Sequence, residues 1–178
     1  MKENQVKKLV MAAMCVALVI VLPMAFHTIQ NAGSIFLPMH IPVLICGLLC
    51  GWQYGLICGI LAPVLSSLFT GMPPAAILPA MLCELAVYGL ITGICVYGIH
   101  TEKQIVKIYG SLITAMLAGR IVSGILKALI FNMGEYSFKI FITSSFLTGI
   151  PGILIQLIFI PVIVLALQKA GIAEPKRR

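Results

Sequence analysis

Apolar residues fill this chain in six long blocks, at about 9–26, 38–51, 55–69, 75–99, 105–131 and 141–167. Short polar, glycine-rich or proline-rich stretches separate them. A helix rises about 1.5 Å per residue, so crossing a bilayer core takes about 20 apolar residues. The blocks predict an all-α integral membrane bundle of six transmembrane helices, forming a single domain over 1–178. The second and third blocks are short for full spans. Joined, they are too long for one helix, so they read as a hairpin of tilted or kinked helices. Trp52-Gln53-Tyr54 would be its tight turn, because Trp and Tyr favour the headgroup zone. Thr70-Gly71-Met72-Pro73-Pro74 marks a second turn. The stretch from His27 to Ser34, with Thr28, Gln30 and Asn31, reads as a polar loop.

Composition narrows the class. Of 178 residues, 61% are apolar and 10% charged, and the mean hydropathy is +1.11. A soluble domain is about 45–50% apolar and about 25% charged. A separate soluble domain, a nucleotide-binding domain and disorder are therefore excluded. The first block is long enough to span and lacks a small-residue cleavage site, so it is expected to be retained.

Charge sets the orientation. Lys2, Lys7, Lys8, Lys103, Lys107, Lys169, Lys176, Arg177 and Arg178 collect on one side, and Lys139 on the other. Positive-inside bias puts both termini in the cytoplasm. Tyr97 and Tyr109 join Trp52 and Tyr54 at the inner interface. The formal charge of +7 fits anchoring at an anionic leaflet, with no nucleic-acid partner.

Several chemistries lack their residues. The acidic side chains are Glu3, Glu84, Glu102, Glu135 and Glu174, with no Asp, which removes aspartyl intramembrane proteolysis. The six cysteines, Cys15, Cys46, Cys50, Cys58, Cys83 and Cys95, lie inside apolar blocks without CxxC or zinc spacing. They read as packing residues, with no metal or cofactor implied. There is no Walker A motif, HExxH or Gly-x-Ser-x-Gly elbow, and Ser66 and Ser67 lack an obvious base. The chain does not read as an enzyme. No repeat relates the first three helices to the last three, as a self-sufficient carrier usually shows. A receptor-like subunit powered by partners fits these absences. A standalone ion-coupled carrier with Glu84 as the titrating group is the alternative.

Charges within the hydrocarbon are costly and point to function. Glu84 and Arg120 lie at matching depths, roughly 13 and 16 Å below the outer ends of their helices, so they could pair. Lys127 follows Arg120 by two turns on the same face, with Ser123 between them. Tyr88 shares the face of Glu84. Gly149, Gly152 and Gln156 line one face of the last helix. These residues could frame a cavity in the outer half. The cationic excess predicts a small ligand with an anionic or strongly accepting group. Arg120 and Lys127 would hold ligand oxygens, Glu84 would orient Arg120, and Gln156 and Asn31 would hydrogen-bond the ligand. Tyr88, Ser67 and Asn132 complete the candidate set. A purely structural Glu84–Arg120 pair is the competing reading. His40, near the outer end of the second helix, reads as an interfacial hydrogen-bonder.

Small residues recur at four-residue spacing: Gly47, Gly51, Gly55 and Gly59; Gly89 and Gly93; Ala115 and Gly119. Such spacing lets helix backbones approach closely in lipid. The first series crosses a turn, so it predicts two close-packed helices. Ala13 and Ala17 form another pair, suited either to contact within the bundle or to docking on a separate membrane protein.

Five segments carry a resemblance. They are Leu37-Pro38-Met39-His40-Ile41-Pro42-Val43, Leu65 to Pro74, Glu84-Leu85-Ala86-Val87-Tyr88-Gly89, Ala118-Gly119-Arg120-Ile121-Val122 and Gly149-Ile150-Pro151-Gly152. In this order they resemble the substrate-binding S components of energy-coupling factor (ECF) transporters. The resemblance implies a six-helix bundle that captures a vitamin between its outer loops and helices four to six. It implies partners: a transmembrane coupling subunit, docked through the Ala-x-x-x-Ala of Ala13 and Ala17, and two ATPase subunits. It also implies toppling in the membrane to carry the site inward. Met39 to Val43 is most similar to the pantothenate branch, while folate, nicotinate, pyridoxine-type and cobalamin members share the framework.

Overall fold

The computed structural model describes residues 3–25, 32–130, 142–143 and 147–173. The helices are α1 (Glu3–Ala25), α2 (Ala32–Phe36), α3 (His40–Cys50), α4 (Trp52–Thr70), α5 (Leu78–Gly98), α6 (Gln104–Ile130) and α7 (Ile150–Lys169). No strand occurs among the described residues. Five helices, α1 and α4 to α7, are long and apolar enough to cross a membrane.

The exception is α3. Its 11 residues rise only about 16 Å, yet ten of them are buried, and Ile41 alone is half-exposed. A helix apolar all round belongs inside protein. Packing against α1, α4 and α5 encloses α3, so its ends need not meet lipid. The second block is thus the central helix of the bundle.

The third block is longer than the sequence suggests. Trp52, Gln53 and Tyr54 are not a turn; they form the first turn of α4. The reversal is made by Gly51 alone, at φ 104° and ψ 175°, a conformation that only glycine adopts without strain. Trp52 and Tyr54 still sit at the end of the bundle, which is what their interfacial preference requires. With Gln5, Lys8 and Tyr97 they line a cleft of about 560 Å³. Lys107, grouped by the sequence with the cations of one side, is buried in α6.

The fourth block starts three residues late. Ala75 to Ile77 belong to the turn, and Pro79 sits in the first turn of α5, where its missing N–H costs nothing. The last helix starts at Ile150, not near residue 141. Thr148 and Gly149 form a turn before it, with the Thr148 amide and hydroxyl both donating to the Thr143 carbonyl (2.9 and 3.0 Å).

Glycines decide how closely the inner helices approach. A Cβ at Gly47 would sit 2.7 Å from the Gly89 carbonyl oxygen, and one at Gly55 would collide with that same carbonyl. One at Gly59 would strike the Leu85 carbonyl, and one at Gly93 the Trp52 backbone. The predicted series therefore divides at the Gly51 turn, and both arms of the α3–α4 hairpin rest on α5 backbone to backbone. Gly119 of α6 does the same for a side chain: the Tyr88 ring occupies the space its Cβ would take.

On α1, Ala12, Cys15 and Val19 face the core. Ala13 and Ala17 are exposed, flanked by exposed Met14, Leu18 and Val21. The Ala13–Ala17 pair faces away from the bundle.

Candidate functional site

Nine polar or charged side chains are buried among the described residues. Five of them, His40 on α3, Glu84 on α5, Arg120 and Ser123 on α6, and Gln156 on α7, converge with the buried Tyr88 of α5 in the half of the bundle remote from the Gly51 turn. Glu84 and Tyr88 are one turn apart, as are Arg120 and Ser123, so each pair shares a face. Lys127 continues the α6 face and is half-buried.

Glu84 meets His40. His40 Nε2 lies 3.5 Å from Glu84 Oε1, and both side chains are at most 9% exposed. The His40 ring also packs edge-on against Tyr88, with centroids 5.2 Å apart and planes at 66°, a favourable aromatic geometry. Matched depth puts Arg120 at the right level, but direction about the α6 axis decides what it touches. Its guanidinium lies beneath Gly149, where a Cβ would be 3.1 Å from Nη2 and 3.3 Å from Nη1. The bare glycine at the start of α7 makes room for the cation.

The segment before α3 covers this cluster. A Cβ at Gly152 would lie 2.8 Å from the Ile35 carbonyl oxygen, so α2 rests directly on α7. Leu37 follows at φ 51°, a left-handed conformation that costs a non-glycine residue about 1–2 kcal/mol. Its carbonyl accepts from the His40 amide at 3.1 Å and from Gln156 Nε2 at 3.5 Å. Strain of this kind concentrates at functional sites.

Several buried polar atoms are left over. Tyr88 Oη, Ser123 Oγ, Gln156 Oε1 and His40 Nδ1 have no hydrogen-bond partner among the described residues. Each such group costs about 1–3 kcal/mol when unsatisfied, so four around one centre describe a place where a polar molecule belongs.

Of the residues singled out from the sequence, Glu84, Tyr88, Arg120 and Gln156 come together here, with Lys127 beside them. Ser67 does not join them. Its hydroxyl donates to the Pro73 carbonyl at 2.9 Å, and Thr70 Oγ1 donates to the Ser66 carbonyl at 2.7 Å. These bonds fasten the turn around Gly71, whose φ of 70° closes α4. Asn31 and Asn132 lie outside the described residues. His40 was missed as a member of the cluster: its neighbours are apolar, and its partner acid is on another helix.

A family model for the substrate-specific component of ECF transporters matches residues 7–164. The chain belongs to this family. It is membrane-embedded, and S components of this kind are transporter subunits, not enzymes, that bind small-molecule substrates and work with a membrane partner and ATPases. Comparison with curated proteins and with solved structures finds no match. The S component's breaks between helices, at Gly51 and Gly71, fall inside the matched region, as does the whole buried polar cluster.

Proposed function

We propose that this S component captures a small anionic vitamin, with pantothenate as the best fit, in the polar cluster between α3, α5, α6 and α7. Arg120 and Lys127 hold its carboxylate. Tyr88, Ser123 and Gln156 hydrogen-bond the rest, and Glu84 shapes the cationic wall. Asn31 and Asn132, outside the described residues, complete the proposed ligand contacts, while Ser67 is committed to the turn after α4. The observation that carries this reading is the set of unsatisfied buried polar atoms beside a buried guanidinium. Pantothenate supplies a carboxylate, an amide and two hydroxyls, which match a site with both donors and acceptors to satisfy. Isothermal calorimetry of the detergent-purified chain against pantothenate, folate, nicotinate, pyridoxine and cobalamin tests it. Sub-micromolar binding of pantothenate is expected. Liposomes containing this chain alone and accumulating solute against a gradient would instead favour a self-sufficient carrier working through Glu84.

The chain forms one domain over 1–178, with six spans and both termini cytoplasmic. Support comes from the cleft where Lys8 meets Trp52, Tyr54 and Tyr97, a cation among interfacial aromatics. The polar cluster is then in the outer half. The coupling subunit docks on the exposed face of α1 through Ala13 and Ala17, and two ATPases complete the importer. Small residues facing outward permit close helix approach. Ala13→Trp is expected to abolish co-purification with the coupling subunit while leaving the Kd for vitamin within about twofold, because the side chain points away from the core. Loss of both together would mean that Ala13 supports the fold.

A further inference from the structure

We propose that the cleft at the Gly51 end of the bundle holds the phosphate of an anionic phospholipid. The cleft has a volume of about 560 Å³ and lies where α1, the α3–α4 turn and the end of α5 meet. Its size is that of a small-ligand site, and it stands at the opposite end of the bundle from the buried polar cluster. The lining divides by chemistry. Among the described residues that form it, Lys8 of α1 is the charged one and none is acidic. Gln5 and Gln53 add amide N–H donors from α1 and α4. Trp52, Tyr54 and Tyr97 wall the remainder, side chains with an apolar body and a polar tip that favour the headgroup zone.

These parts select for one kind of headgroup. Lys8 is half-buried, so an ion pair made there is screened less by salt than one at an exposed lysine. A phosphate diester carries one negative charge and several acceptor oxygens, and can accept from an ammonium and from amide N–H groups at once. A choline or ethanolamine headgroup would bring a second cation beside Lys8, with no carboxylate in the described lining to receive it. The acyl chains have a way out. Ile94 lines the cleft and is exposed. Ile57 is one turn beyond Gln53 on the same face of α4, and it is exposed, as are Ile60 and Leu61 after it. A phosphate held at the end of the bundle therefore leaves its chains in lipid, which favours a phospholipid over a soluble phosphate compound.

Trp52 is the sole tryptophan of the chain, so its fluorescence reports on this cleft alone. The full chain is reconstituted in phosphatidylcholine vesicles carrying a small fraction of brominated lipid, whose acyl bromines quench a neighbouring indole. Brominated phosphatidylglycerol is expected to quench with about fivefold higher apparent affinity than brominated phosphatidylcholine, the scale set by one lysine beside an anionic headgroup. Lys8→Gln is expected to bring that ratio below about twofold, and Lys8→Arg to keep it. Lys103→Gln removes an exposed cation at the same end, from the loop between α5 and α6, and is expected to leave the ratio unchanged. Glycerol 3-phosphate in the buffer is expected to relieve no more quenching than sodium chloride of equal ionic strength. Equal quenching by the two lipids in the parent chain, or equal losses in Lys8→Gln and Lys103→Gln, would reduce the effect to general surface attraction and overturn the site. A preference for phosphatidylcholine would make the three rings a cage for the choline ammonium and overturn the anionic assignment. Relief by glycerol 3-phosphate beyond the salt control would overturn the lipid assignment in favour of a soluble phosphate compound.

Discussion

Gly89→Val is expected to prevent assembly of the bundle. A Cβ at Gly89 would collide with the Gly55 carbonyl and lie about 3 Å from the Gly55 Cα. Both obstacles are main chain, held in α4 by the helix's own hydrogen bonds, and cannot swing aside as a side-chain tip can. The partner glycine is equally committed, since its own Cβ would meet the Gly89 carbonyl and lie 2.9 Å from the Gly47 Cα. Three helices therefore share one contact made of backbone. Separating them to admit valine would also loosen Gly47, Gly59 and Gly93, which rest on the same α3–α4–α5 junction. Overpacking a well-packed core costs about 1–3 kcal/mol where side chains can give; here the cost is expected to exceed about 3 kcal/mol. In lipid no hydrophobic effect between helices offsets it. The measurement is the recovery of monodisperse protein from mild detergent and its thermal midpoint. Gly98→Ala is the control: nothing lies within 4 Å of that Cβ position, and the variant is expected to behave like the parent. Equal recovery and equal midpoints for the two variants would show that the junction tolerates separation.

Much of this junction was legible because glycine spacing reports close approach directly. The repeat of four could be read from the chain, and a break within it follows from a turn between two blocks. The placement of that turn was not legible. Trp52 and Tyr54 signal the interface whether they lie in a loop or in a helix's first turn, and the sequence does not distinguish the two. The identity of the central helix was hidden as well. A short block such as 38–51 suggests an incomplete span, whereas its near-total burial depends on three other helices closing round it. At the site, periodicity put Glu84 with Tyr88 and Arg120 with Lys127, since these relations lie within single helices. Contacts between helices escaped, because rotation about each axis is set by packing. Hence His40 reaches Glu84, and Arg120 turns toward Gly149. Leu37 left no trace, since a positive φ at leucine has no sequence signature. Ser67 was drawn in by proximity to the turn, whose hydrogen bonds use its hydroxyl.

Arg120→Ala is expected to abolish high-affinity vitamin binding while leaving the fold in place. Two roles for the guanidinium predict opposite results. If Arg120 chiefly neutralised Glu84, its loss would leave a buried carboxylate uncompensated, at a cost of about 3–5 kcal/mol in stability. But Glu84 has His40 at 3.5 Å, and half-buried Lys127 lies on the α6 face of the same cluster, so the carboxylate keeps polar neighbours in the variant. The cost should fall on the ligand instead. Removing one side of a buried charge pair weakens binding by about 2–5 kcal/mol, or roughly 30-fold to several thousandfold in Kd. Arg120→Lys keeps the charge but loses the planar fork that grips a carboxylate at two points, so an intermediate loss is expected. Calorimetry with pantothenate and thermal unfolding of the same preparations separate the two roles. A collapse of the thermal midpoint with unchanged Kd in the surviving folded fraction would make Arg120 a structural counter-ion. An intact midpoint with the affinity falling in the order parent, lysine, alanine would make it the residue that holds the anion.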